Sequence, residues 1–455
     1  MAKAVKINKE LILTGNMYKA IMSIAIPVMI NSFLNTMYNL TDTYWLGRLG
    51  TDELAAINLV TPMQNIVTNF GSGITVAGSV LIAQYLGARR VDEAKKMANQ
   101  IFGCAMIFAF SCMIIFGLLT PQIVRWLGAE GAVYEHGKTY LQIVFMDMPF
   151  LFCISIFSSV HQAQGDAFRP MFLNLGGIAL NMLLDPLLMV VFELGAAGAA
   201  LATVGAKSVP AIIAFILLIR KSQTICLDLR HLKFEKEKLK AIATVGLPTA
   251  LGGSFMQLGF LLMTRNCLVY GTQAMAAYGI GNKVNGLISL PGNGMGSAVS
   301  TIVAQNVGAN QYERAERGYK LSCRMIVIFL AVGGFILSRR MISEGIAGIF
   351  SDDAEVIRMA ADYLSILALF TFTNGVQTTT MGLFQGSGHT EVTMAMDITR
   401  LWVFRFATLF VCERLLHMGV DSIWWSVVVS NALSPLALFI IYKTGYWKRK
   451  RGKRD

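Results

Sequence analysis

Two carboxylates stand where this sequence is otherwise apolar. Asp42 closes "NSFLNTMYNLTD" (31–42), and Asp185 closes "NLGGIALNMLLD" (174–185). Asn31, Asn35, Tyr38, Asn39 and Asp42 are spaced four, three, one and three apart, which gathers them on one side of a helix. Asn174, Asn181 and Asp185 follow at seven and four, again one face, and Pro186 then removes a backbone donor. Thr203 and Lys207 lie one turn apart further on. A carboxylate in an apolar helix is costly, and it persists by binding a proton, a cation or a partner base. Carboxylates, amides and a hydroxyl together make an oxygen-rich set suited to a proton or a hard cation such as Na+. Lys207 leaves two arrangements open. It pairs with Asp185, so that only Asp42 titrates, or it points away and both aspartates serve the ion.

The elements that must position these groups are membrane helices. Of 455 residues, 55% are hydrophobic and only 15% charged, where soluble domains carry about a quarter. Apolar runs long enough to cross a bilayer recur throughout. They predict twelve spans: 18–46, 54–85, 98–120, 139–163, 171–193, 197–219, 242–270, 276–306, 321–343, 360–385, 394–415 and 422–443. The opening segment lacks the pattern of a cleavable signal, so the first apolar run reads as a retained helix. The seven cysteines show no metal or disulfide spacing and read as packing residues. The net charge of +12 does not point to nucleic acid. Roughly two-thirds of the 39 Lys and Arg fall in alternate connections, which places both termini and the 221–241 linker in the cytoplasm and the protein in the cytoplasmic membrane.

The halves repeat. A shift of 221 brings "AQYLGARRVDEA" (83–94) onto "AQNVGANQYERA" (304–315), Pro27 onto Pro248 and Gln164-Gly165 onto Gln385-Gly386. Six spans per copy make the repeats parallel, as in two-lobed transporters. The expected fold is therefore all-α, with a six-helix lobe at 1–220, the basic linker at 221–241 and a second six-helix lobe with its basic tail at 242–455. Asp147, Arg265, Lys283, Arg400 and Arg405 lie within or near span ends and are mostly expected to snorkel or pair. "LPGNGMG" (290–296) lacks the context of a phosphate loop and reads as a place of close helix approach or a bend.

With these residues assembled, the chain resembles the multidrug and toxic compound extrusion family (MATE) from about residue 15 to 445. The likeness rests on "IPVMINSFLNTMYNLTDTYWLGRLG", "AQYLGA", "QAQGDAFRP", "LNMLLDPLL" and "LFQGSGHTE". It implies an antiporter, not an enzyme, that expels organic and often cationic, amphipathic compounds as H+ or Na+ enters, without another cofactor and as a monomer. Likeness to the DinF-like prokaryotic branch implies a coupling site of Asp42, Asn181, Asp185 and Thr203, supported by Asn35, Tyr38 and Asn39, with Pro27 as the hinge of the first helix. It also favours Asp185 left free of Lys207. A second branch places acids in the seventh and tenth helices. Here those spans offer Gln257, Asn374, Gln377 and Thr378 to Thr380, with Asp362 at the edge. The rival reading is a flippase for lipid-linked sugars, which would line its path with several basic side chains.

Overall fold

The computed structural model describes residues 10–46, 51–220, 224–228 and 233–449. They form helices and connections, with no strand among the described residues. We number the helices α1 (Met17–Leu46), α2 (Thr51–Gly87), α3 (Val91–Trp126), α4 (Gly131–Met146), α5 (Met148–Ala163), α6 (Phe168–Pro186) and α7 (Gly195–Ile219). The second half holds α8 (Lys236–Leu268), α9 (Thr272–Gly308), α10 (Tyr312–Leu337), α11 (Arg340–Gly348), α12 (Ala354–Leu369), α13 (Thr371–Ser387), α14 (Thr390–Ile398) and α15 (Asp421–Lys443). Helix α6 runs on into a π turn, Leu187–Val191. Helix α14 continues through a π segment, Thr399–Arg405, an α turn, Phe406–Phe410, and a second π turn, Val411–Leu415.

These are the twelve expected spans, with two corrections. The fourth and tenth are not single helices: α4 meets α5 at 42° and α12 meets α13 at 53°. Pro149 explains the first break, since it has no N–H to carry the α-helical bond back to Phe145. Eight helices are long and apolar enough to cross a membrane alone, and the bent pairs raise this to ten. The remaining two spans are α9, rich in glycine and asparagine, and the run that begins at α14. Outward apolar side chains such as Leu118, Leu183 and Ile440 stay well exposed, as lipid contact requires.

The repeat is written into the backbone. Arg89 (φ 62°) and Asn310 (φ 57°), 221 positions apart, both adopt the left-handed conformation. Arg90 N–H donates to Tyr85 O and Gln311 N–H to Asn306 O, the same bond in each copy.

Packing divides the chain into two compact units, one containing Ile30–Ala250, the other Gly15–Met29 with Leu251–Asp455. The boundaries run through α1 and α8, two residues after Pro27 and two after Pro248. Each repeat therefore gives the first part of its first helix to the unit built mainly from the other. In the first unit α2 packs on α3, α4 and α5, and α7 on α4, α5 and α6. In the second, α9 and α13 form the closest pair. A Cβ at Gly296 would lie 2.8 Å from the carbonyl oxygen of Thr378, and one at Gly382 would meet the carbonyl of Gly296. Gly292 and Gly296, and Gly382 and Gly386, are four apart, so small residues let the backbones touch. This assigns the 290–296 segment to close approach within a continuous α9.

Candidate functional site

The polar residues of the first unit come together on α1, α6 and α7. Asn174 Nδ2 donates to Asn31 Oδ1 at 2.7 Å and to Asn35 Oδ1 at 3.2 Å, tying α6 to α1. The Tyr38 hydroxyl lies 3.3 Å from Thr203 Oγ1, tying α1 to α7. The Thr203 hydroxyl also donates to Ala199 O one turn earlier at 3.1 Å, which spares a buried donor. These bonds frame a cavity of about 50 Å³ lined by Asn35, Tyr38, Asn174, Asn181, Thr203 and Lys207, with apolar walls from Ile154, Ile178 and Pro210. That is room for a few waters or a partly hydrated ion.

Asp185 and Asn181 are buried, at 0% and 2% exposure. Asn181 lies beside Asp185 and interacts with it, and no other residue hydrogen-bonds to the carboxylate of Asp185 or the amide of Asn181. Buried polar atoms are ordinarily satisfied, so two acceptor oxygens and an amide left over at one place fit a proton or a hard cation. Asp42 is half-buried near the end of α1, and it acts electrostatically on Asp185. Asn39 is exposed and lies outside the cavity lining. Pro27 sits inside the continuous α1.

Lys207 is paired, and its partner is Asp147. The ammonium lies 2.5 Å from Asp147 Oδ2, with Asp147 wholly buried and Lys207 28% exposed. Asp147 falls at the break between α4 and α5, so it belongs to the interior of the site and neither snorkels nor sits at a water-facing end. Lys207 still acts on Asp42 through space. Tyr140 on α4, two turns before Asp147 and 8% exposed, is in electrostatic reach of Asp42, Asp147 and Asp185. The sequence reading passed over Tyr140. The signal available was its seven-residue spacing from Asp147, which repeats the Asn174–Asn181 interval.

In the second unit Asn374 Nδ2 donates to Ser289 Oγ at 2.8 Å, and Gln377 accepts a long bond from Arg400. Arg405 is 3% exposed, so of the two expectations, snorkelling or pairing, it does not snorkel; its partners are Ser430 and Asn431. Arg265 and Lys283 are exposed.

Twelve spans in two repeated halves, with an oxygen-lined cavity inside the first, define a multi-pass membrane protein of the two-lobed transporter type. The family model described as MatE matches residues 27–187 and 248–411. The chain belongs to the MatE family. It is 28% identical over 429 residues to the multidrug export protein MepA of Staphylococcus saprophyticus and 25% identical over 430 residues to that of Staphylococcus haemolyticus, each alignment covering 94% of both chains. Among solved structures, the outward-facing conformation of a multidrug resistance MATE family transporter matches with a TM-score of 0.91 at 24% identity, over 96% of this chain and 98% of that one. A transporter of the MOP superfamily from Pyrococcus furiosus matches at 0.90 and 24%, over 97% and 98%. These likenesses carry the fold.

Proposed function

We propose that this protein is a secondary antiporter that exports small organic molecules, often cationic and amphipathic, in exchange for H+ or Na+. The observation that carries the reading is how the first unit shares out its charges. Three carboxylates, Asp42, Asp147 and Asp185, share this unit with one ammonium in reach of Asp42 and Asp147, and Lys207 is taken by Asp147. The buried Asp185 carboxylate has only Asn181 beside it and no counter-charge, and Asp42 acts on it through space. A single proton or Na+ relieves that repulsion, which gives the site a reason to bind an entering ion. Asn181 and Thr203 serve as further ligands, while Tyr38 and Asn35 hold the helices that carry them. The names of the MepA relatives support small organic substrates. Ion entry neutralises the carboxylates, α1 adjusts at Pro27, and the organic molecule leaves on the outer side. The basic connections support an orientation with both termini in the cytoplasm.

The test is reconstitution in vesicles loaded with ethidium, with a pH gradient and a Na+ gradient imposed separately. Ethidium movement driven by one gradient and abolished in Asp42→Asn supports the reading. Movement that follows neither gradient refutes ion coupling. The flippase reading would instead give translocation of a polyprenyl diphosphate sugar in the same vesicles, with no response to either gradient.

A further inference from the structure

The second unit holds two arginines inward, Arg405 buried and Arg400 half-buried, that the export reading does not use. Arg400 and Arg405 both lie in the π segment Thr399–Arg405. In an α-helix, residues five apart point about 140° from one another. In a π turn the i→i+5 bond stacks them, as four-residue spacing does in an α-helix. The π segment therefore brings two like charges onto one face, and each acts on the other. Nearby Asp397 offsets Arg400 through space. Among the described residues, no carboxylate lies within ion-pair distance of either arginine.

Arg405 Nε donates to Ser430 Oγ at 3.1 Å and its Nη2 to Asn431 Oδ1 at 3.3 Å. The face of Phe260 lies 5.6 Å away. These contacts occupy two of five donors, and none carries a negative charge. Two further donors point to a missing acceptor. The buried Nε of Arg400 has no partner, and neither has the hydroxyl of Tyr278, a residue 2% exposed and in electrostatic reach of Arg405. A buried guanidinium without a counter-charge, as at Arg405, is costly in a membrane interior. A π segment that sets a second guanidinium on the same face, near an idle hydroxyl, has the chemistry of an anion receptor.

We propose that Arg400 and Arg405, with the hydroxyl of Tyr278, hold a compact anion in the second unit, either a halide or the carboxylate of an organic acid. The two sources share one chemistry and separate in the test. Purified full-length protein in gluconate buffer at fixed ionic strength is titrated with chloride and, separately, with sodium benzoate, and its thermal midpoint is followed. A ligand that binds only the folded state raises that midpoint with the logarithm of its concentration. Chloride that stabilises the wild type and not Arg405→Gln supports a site for a free halide. Benzoate that does so where chloride fails supports a site for organic acids.

Tyr278→Phe, which removes one oxygen from a buried ring, is expected to raise the binding midpoint about tenfold, the worth of one charge-assisted hydrogen bond. Arg405→Lys keeps the charge and is expected to retain binding at reduced affinity. These two variants decide the matter if Arg405→Gln does not fold. No saturable stabilisation by either anion, or an equal response in wild type and all three variants, overturns the proposal. Binding is read without any ion gradient, so the result is independent of the coupling mechanism.

Discussion

Lys207→Met removes the ammonium that Asp147 relies on while keeping an unbranched stem of similar length. Asp147 is wholly buried, whereas Lys207 is 28% exposed, so the two halves of the pair should not be equivalent. A lone carboxylate at that position is tolerated by taking up a proton. Protonating a free aspartate at pH 7 costs about 1.36 × (7 − 3.9), roughly 4 kcal/mol, which caps the loss. That agrees with the ~3–5 kcal/mol typical of breaking a buried pair from one side. At pH 5 the same cap falls to about 1.5 kcal/mol. The sign follows from linkage. The folded variant binds a proton that its unfolded chain does not, so its stability rises as pH falls from 7 to 5 and its deficit against wild type shrinks. Asp147→Asn should cost less, under about 2 kcal/mol, because a partly exposed ammonium can turn its head toward water. The double variant Asp147→Asn, Lys207→Met should recover most of the loss and keep ion-driven efflux, since it leaves Asp42 and Asp185 in place. Unfolding of the purified protein in detergent at pH 7 and pH 5 reads all of this. A Lys207→Met deficit that is the same at both pH values, or a double variant no more stable than Lys207→Met, would refute the pairing argument.

Asp42→Asn is expected to insert and fold but to lose gradient-driven ethidium efflux in vesicles; wild-type efflux would remove Asp42 from coupling. Pro27→Ala and Pro248→Ala, each two residues before the point where its helix passes from one unit to the other, are expected to slow turnover without weakening ion binding, since alanine restores the backbone bond that proline leaves out. Unchanged turnover in both would take the hinges out of the mechanism. Gly382→Ala drives a Cβ into the backbone carbonyl of Gly296 and is expected to destabilise by about 1–3 kcal/mol. Gly333→Ala on α10, with nothing within 4 Å of the new carbon, is expected to stabilise by up to about 1 kcal/mol. Equal thermal midpoints for the two variants would contradict the close approach of α9 and α13.

How much of this was legible in the sequence depends on what periodicity can carry. Helical spacing gave the faces on α1 and α6, and the 221-residue shift gave the two halves, because both are properties of one chain segment at a time. The shift even located the paired prolines beside which the packing boundaries fall. Periodicity says nothing about which charge meets which across a fold. Asp147 and Lys207 are 60 residues apart on different helices, and they meet because Pro149 breaks the fourth span and presents Asp147 inward. The two breaks and the π segments were also invisible, since each inserts or removes one backbone bond within a run that still reads as apolar. The π segment is what sets Arg405 on the same face as Arg400.

One ammonium among three carboxylates explains why that partner choice has consequences for function. Had Lys207 turned to Asp185, the fixed pair would have consumed one of the two acids that act on each other in this unit, and Asp42 alone would have remained to respond to ions. The break at Asp147 supplies a third, wholly buried acid, and it is this one that lies within reach of the lysine. A bent span thus leaves Asp42 acting on Asp185, with only Asn181 beside the Asp185 carboxylate, in the unit that holds the cavity.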